Sequence, residues 1–375
     1  MIDKRIGIVT FPRSHTGLVP LSNLVKIFTA LLDNTLYLIA GSAMEQIEHG
    51  DAKVKLIKVS NGSSRLKVGR ILQYLVTQCK IALRIFFLLK KVDTWFFLVE
   101  GEMLILPVIV AKLLQKKVIL VLPNSVIGEA ALKNTPYFPI ISCLTKINRA
   151  LSDKIIVYSP ILISTWELGE FRHKIIVAHK HYVDISKFTI INGLKDTPKL
   201  VGYIGRLSEE KGIFNFIQAI PMILKEQQDV HIFIAGDGAQ IEKILEPLQE
   251  KGITDQVTFS NWISHDKLPK YLNQLQLFVL PSYTEGLPNI MIEAMACGTP
   301  VLATPVGAIP DVIKEGETGF ILENNSPECI AESVIKALNS NELNRIAKRS
   351  RQVVEENFTF DKCIETWKKV FKEIG

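Results

Sequence analysis

Residues 283–300 read YTEGLPNIMIEAMACGTP, from Tyr283 to Pro300, and they follow the apolar run QLFVLPS, Gln276 to Ser282. The run is short, apolar and ended by Pro and Ser, as a buried strand is. The stretch after it turns through Gly286, Leu287 and Pro288 into a periodic apolar segment, which predicts strand, turn and helix in that order. Gly286 and Leu287 then fall at a helix N-terminus, where unpaired N–H groups and the helix dipole favour an anion. Pro288 is expected in the first helical turn, because its missing N–H would have had no partner there. Glu285 on the turn and Glu293 on the helix are separated by seven residues and bracket the anion position. Such a site suits a ligand with phosphate in its middle and hydroxyl groups at both ends.

Outward from this stretch, the same alternation of apolar strand and amphipathic helix runs in both directions. KLVGYIG, VHIFIAG, VTFSNWI, PVLAT and TGFILE read as further strands after residue 196. Before it, RIGIVTF, TLYLIAG, VKLIKVS, TWFFLVEG, KVILVLPNS, SDKIIVYSP and HKIIVAH do the same. Strands alternating with helices and short polar loops predict parallel, doubly wound α/β sheets. A chain of 375 residues is long enough for two such domains. Loops at the C-terminal ends of parallel strands carry the ligand sites of such sheets. In the second half they hold Gly205, Arg206 and Lys211 (GRLSEEKG), Gly236 and Gly238 (GDG), and Glu285 with Gly286 and Leu287. Arg and Lys beside a helix N-terminus make a receptacle for a diphosphate, the first as a fork and the second as a point charge. Carboxylates accept from sugar or ribose hydroxyls.

Charge is divided unevenly. Residues 1–195 carry 26 Lys and Arg against 13 Asp and Glu, a balance of +13, and the remainder of the chain is at −7, for the overall +6. The basic half is expected to meet something anionic: a membrane surface, a phosphorylated lipid, an acidic glycan or nucleic acid. No nucleic-acid module or interleaved aromatic stripe accompanies the charge, which excludes nucleic acid. Residues 65–91 have no acid anywhere between Asp51 and Asp93 and end in Phe86, Phe87, Leu88 and Leu89. Two readings stay open for them: a crossover helix with a solvated basic face, or a surface that lies on anionic lipid. The cysteines are scattered singly, with no zinc-type spacing, and fit a reducing compartment. The N-terminus runs straight into a strand and lacks the features of a signal peptide. The protein is therefore expected in the cytoplasm, peripheral on the inner membrane face.

GRLSEEKG, IAGDG, LPSYTEGLPNIMIEAMACGTPVLAT and VGAIPDVI together resemble the C-terminal half of a GT4-type retaining glycosyltransferase, over most of residues 199–325. The resemblance implies a GT-B fold, an α/β arrangement of two Rossmann-like doubly wound domains facing across a cleft. It assigns residues 1–195 to acceptor binding and 196–357 to nucleotide-sugar binding, with a terminal helix over 358–375 crossing back to the first domain. It further implies a hexosyltransferase of polysaccharide or glycolipid biosynthesis, with a UDP- or GDP-linked donor and a glycan or lipid-linked saccharide as acceptor. Arg206 and Lys211 would hold the donor diphosphate and stabilise the leaving group. Glu285 would contact the donor sugar, Gly286 and Leu287 would give N–H groups to the distal phosphate, and Glu293 would bind ribose. Gly17, Gly205, Gly236 and Gly238 would complete the donor site. No Asp-x-Asp occurs in the chain, so no metal and no cofactor is expected.

The first half departs from the family pattern. PRSHTG offers only Gly17 where a glycine pair is usual, and Asn124 and Ser125 stand where many members carry a histidine. His15, Glu100, Asn124 and Ser125 are the acceptor-side candidates, with Glu129 beside them. The alternative reading is a degenerate GT-B protein that binds nucleotide sugar or glycan without transfer.

Overall fold

The computed structural model describes residues 2–12, 18–41, 45, 53–62, 67–98, 101–123, 125–132, 135–191, 199–238, 248 and 252–375. The chain divides into two compact units, Met1–His181 with Cys363–Gly375, and Tyr182–Lys362.

The first unit holds a parallel sheet of β1 (Ile6–Thr10), β2 (Leu36–Ala40), β3 (Val54–Lys58), β4 (Thr94–Leu98), β5 (Lys117–Val121), β6 (Lys154–Val157) and β7 (Ile175–Val177). Their order is β3-β2-β1-β4-β5-β6-β7. All five residues of β1 and of β4 are buried, which is why these central strands are continuous apolar runs with no alternation. The crossover from β1 to β2 runs along the sheet in one direction, and those from β3 to β4, β4 to β5 and β5 to β6 run in the other. Right-handed connections therefore put the helix Leu18–Leu31 on one face and the helices Lys67–Phe87, Ile105–Leu113 and Phe138–Leu151 on the other.

The first face is completed from the end of the chain. The helix Phe360–Ile374 buries Cys363, Trp367, Val370, Phe371 and Ile374, a 3.6-residue stripe. Trp367 and Phe371 stack edge-on against Phe28, with ring centroids 5.0 and 5.1 Å apart. Trp367 Nε1 donates to the His179 carbonyl at 3.0 Å. The pattern of aromatic residues thus docks the terminal helix, and a ring removed from it would cost about 3–5 kcal/mol.

The second unit holds β8 (Leu200–Ile204), β9 (His231–Ala235), β10 (Val257–Ser260), β11 (Leu277–Leu280), β12 (Val301–Ala303) and β13 (Phe320–Ile321). The order β10-β9-β8-β11-β12-β13 is again all parallel. Its core packs Ile213, Phe216, Ile220 and Ile223, from the helix Ile213–Glu226, with Ile330 and Val334 of the helix Pro327–Leu338. The order reverses between β8 and β11, the first and fourth strands of the unit. In such a sheet the loops after these two strands lie side by side, with helices leaving to opposite faces.

Candidate active site

Two loops meet at that reversal. The loop after β8 carries Gly205, Arg206 and Lys211, and the loop after β11 carries Ser282, Glu285, Gly286 and Leu287. Their backbones are tied by the Tyr283 N–H, which donates to the Glu210 carbonyl at 3.0 Å. Across the same gap Lys211 Nζ lies 2.7 Å from Glu285 Oε1, with the two side chains 19% and 8% exposed. Ser282 Oγ donates to the same carboxylate oxygen at 2.8 Å. The buried carboxylate therefore has a cation and a hydroxyl, as a charge out of water requires. Burial, and next the charge of Glu285, push the phenol of Tyr203 above its ordinary range, so that it stays neutral. It donates to the Arg206 carbonyl at 2.6 Å and holds the loop. Arg206 itself points outward, more than half exposed, 3.2 Å from Glu210. Six of the expected site residues, Gly205, Arg206, Lys211, Glu285, Gly286 and Leu287, thus stand on two neighbouring loops, and two of them, Lys211 and Glu285, are in direct contact.

The helix after β11 spans Asn289–Ala296, and Pro288 is its N-cap with φ −74° and ψ 121°. This corrects the expected first-turn position of Pro288. Proline's fixed φ serves an extended cap residue as well as a helical one, and ψ makes the difference. The free N–H groups of the helix start one residue later, at Asn289. Among the described residues the Gly286 and Leu287 N–H groups donate to no other group. Gly286 accepts from the Ala308 N–H at 2.7 Å. Gly307 makes that close approach possible: at φ +60°, a Cβ there would stand 2.2 Å from the Glu285 carbonyl oxygen.

Glu293 lies one turn into the helix, largely buried, and His265 Nε2 is 2.8 Å from its Oε1. The hydrogen bond with Glu293 raises the imidazole above its ordinary value, against partial desolvation that lowers it. His265 was not among the sequence candidates. It sits in the loop after β10, at a strand C-terminal end, and that position was the available signal. Ser282 was missed in the same way, although it lies two residues past the end of β11.

Gly236 and Gly238 have a packing role beside the expected ligand role. A Cβ at Gly236 would fall 1.8 Å from the Gly205 carbonyl oxygen, and one at Gly238 2.3 Å from that of Leu207. The Leu207 N–H donates to the Asp237 carbonyl at 2.9 Å, so the two loops are joined backbone to backbone.

On the first unit, His15, Gly17, Glu100 and Asn124 lie outside the described residues, as does the side chain of Glu129. Ser125 is buried, and its Oγ accepts from the Gly128 N–H at 2.9 Å, a helix-capping bond at the start of Val126–Leu132. Among the described residues no group of three or more His, Cys, Asp or Glu could hold a metal ion.

With this geometry in view, comparison with known proteins is decisive for the second unit. Residues 184–353 match the family model described as glycosyl transferases group 1. This segment is a group 1 glycosyl transferase segment. It contains Arg206, Lys211, Glu285, Glu293 and His265. The N-acetyl-alpha-D-glucosaminyl L-malate synthase of Bacillus anthracis is 30% identical over 183 residues, 48% of this chain and 47% of that protein. The capsular polysaccharide biosynthesis glycosyltransferase CapM of Staphylococcus aureus is 32% identical over 162 residues, 43% of this chain and 42% of that protein. The chain spans about half the length of the curated relatives it matches. Over the whole chain the likeness is one of fold. HepE of Anabaena, solved in complex with UDP, aligns with a TM-score of 0.79 at 14% identity, covering 98% of this chain and 100% of that one. Sucrose-phosphate synthase of Thermosynechococcus elongatus aligns with a TM-score of 0.78 at 17% identity, covering 99% of both. Two Rossmann-like units with these neighbours are the GT-B architecture expected from the sequence.

Proposed function

We propose that the protein is a glycosyltransferase that moves a sugar from a nucleoside-diphosphate sugar, UDP- or GDP-linked, to a saccharide acceptor. The observation that carries this reading is the Lys211–Glu285 pair at the strand-order reversal of a group 1 segment. A carboxylate and an ammonium in contact suit the two halves of such a donor. The sugar hydroxyls donate to Glu285 while the diphosphate takes Lys211, with Arg206 free to turn in from solvent. As the sugar departs, negative charge grows on the phosphate oxygen. A fixed cation and the N-terminus of the Asn289–Ala296 helix stabilise that charge more in the transition state than before it. Glu293, held by His265, is placed for the ribose hydroxyls. Because these groups supply the positive charge, the reaction is proposed to need no metal. Transfer is proposed to retain configuration, by front-face attack within an ion pair. The acceptor follows from the basic first unit: an anionic or lipid-linked saccharide presented at a membrane surface.

The structural neighbours support the donor class, since HepE is solved with UDP and with UDP-glucose. The test is acceptor-free turnover of a panel of nucleotide sugars. Slow release of nucleoside diphosphate from at least one donor is expected. A chain that binds a donor but releases none would be a binding protein, and the transferase reading would fall.

A further inference from the structure

The three helices on the second face of the first sheet, Lys67–Phe87, Ile105–Leu113 and Phe138–Leu151, contain no aspartate or glutamate. They pack side by side in that order. Several of their polar groups are turned inward. Gln78, Asn148 and Arg149 are buried: Gln78 accepts from the Leu106 N–H at 2.9 Å, Asn148 donates to the Glu102 carbonyl at 2.9 Å, and Arg149 pairs with the buried Glu102 carboxylate. Their outer surfaces are apolar instead. Leu72, Leu83, Phe87, Leu113 and Ile140 are 61%, 57%, 71%, 77% and 58% exposed. In the first helix Leu72, Val76, Cys79, Leu83 and Phe87 recur at steps of three and four, one continuous outward seam. Ile140, Cys143 and Ile147 repeat the pattern in the third. A solvent-facing helix carries the reverse distribution.

Cations border this seam. Arg70, Lys80, Arg84, Lys90 and Lys91 are exposed. Lys80 donates to the Ser60 carbonyl, which puts it on the flank away from the second helix. Arg70, Arg84, Lys90 and Lys91 form no ion pair with any described residue. Charge identifies the occupant. A second copy of the chain would bring the same acid-free cationic face to a self-complementary contact, cation against cation. A bilayer with anionic headgroups satisfies both parts, taking the apolar seam at the acyl boundary and the cations at its phosphates.

We propose that this three-helix face docks the protein flat on an anionic lipid bilayer, with Leu72, Leu83, Phe87, Leu113 and Ile140 entering the interface. The proposal rests on the membrane placement of the acceptor, but its test involves neither donor nor turnover. Native cysteines report it, since Cys79 and Cys143 are exposed on the two outward seams. The full chain is labelled with an environment-sensitive fluorophore at one of them, the other and the partly exposed Cys329 being serine. It is then mixed with phosphatidylcholine vesicles with or without phosphatidylglycerol. At about 0.1 M salt, where screening is moderate, both labels should shift to the blue on the anionic vesicles and be quenched by lipid-borne quenchers. Flotation should show Leu83→Ser with Phe87→Ser about a hundredfold weaker, about tenfold for each side chain. Arg70→Glu with Arg84→Glu should be about thirtyfold weaker or more. All four side chains are exposed, so a thermal midpoint close to that of the parent is expected for both variants. Labels that ignore anionic vesicles would overturn the proposal. So would unchanged flotation of both variants, or a label shift that depends on protein concentration without lipid, which would mean that a second copy covers the face.

Discussion

Replacing Lys211 with methionine keeps the aliphatic stem and removes the ammonium 2.7 Å from Glu285. The carboxylate, 8% exposed, is left with the Ser282 hydroxyl alone. Breaking a buried ion pair costs about 3–5 kcal/mol. The Ser282 hydrogen bond is made in parent and variant alike and offsets none of this, but Lys211 is 19% exposed and the pair is partly screened by water, so the net loss expected is about 2 kcal/mol. For a unit of this size that lowers the thermal midpoint by about 4–8 °C. Donor hydrolysis should fall by about 10²–10³, the usual effect of removing one fixed stabiliser of developing charge, with kcat and kcat/KM falling together. A second substitution separates the two effects. Lys211→Met with Glu285→Gln leaves no buried charge, and its stability should return to within about 1 kcal/mol of the parent, while hydrolysis stays at the level of the single variant or below. Denaturant unfolding and nucleoside diphosphate release on the same preparations decide it. A single variant as stable as the parent, or a double variant that still turns over donor, would refute the reasoning.

His265 should make the second unit sensitive to pH. Its hydrogen bond with Glu293 raises the imidazole above its ordinary value of about 6.5. The stabilisation is therefore complete below that value and is lost as pH rises through the raised one. His265→Gln should flatten the fall in thermal midpoint over that window, and a parent that gains stability there would contradict the pairing. Gly307→Ala should weaken donor binding at least tenfold, because the added methyl meets the Glu285 carbonyl oxygen at a positive φ; equal dissociation constants by calorimetry would show that this loop does not bind donor. Dialysis against EDTA should leave donor hydrolysis within about twofold, since a metal that fixes the leaving group would be worth several kcal/mol. A strict metal requirement would oppose the cation-based site.

The fold was legible because buried parallel strands are unbroken apolar runs. IGIVT and TWFFL carry a polar residue only at one end, Thr10 and Thr94, and both proved to be central strands. The terminal helix was legible from Trp367 and Phe371 for a similar reason. Partnerships were not legible. Lys211 and Glu285 are 74 residues apart in the chain, and only the order of β8 and β11 brings them together. His265 follows an edge strand, β10, with two strands between it and β11, so no local pattern links it to Glu293. Pro288 was misplaced by one residue because proline restricts φ and leaves ψ open. The polarity of the three acid-free helices was half legible. Missing acids can be read from the chain, but that Gln78 and Asn148 point inward while Leu83 and Phe87 point out needs the neighbouring helices.

Equilibrium binding of nucleotide sugars, followed as thermal stabilisation of the full chain, tests the central claim most directly. One donor at about a hundred times its dissociation constant should stabilise the parent by about 2.7 kcal/mol and should lose most of that effect in Lys211→Met with Glu285→Gln. Stabilisation of the same size in parent and double variant would place the donor elsewhere and contradict the account.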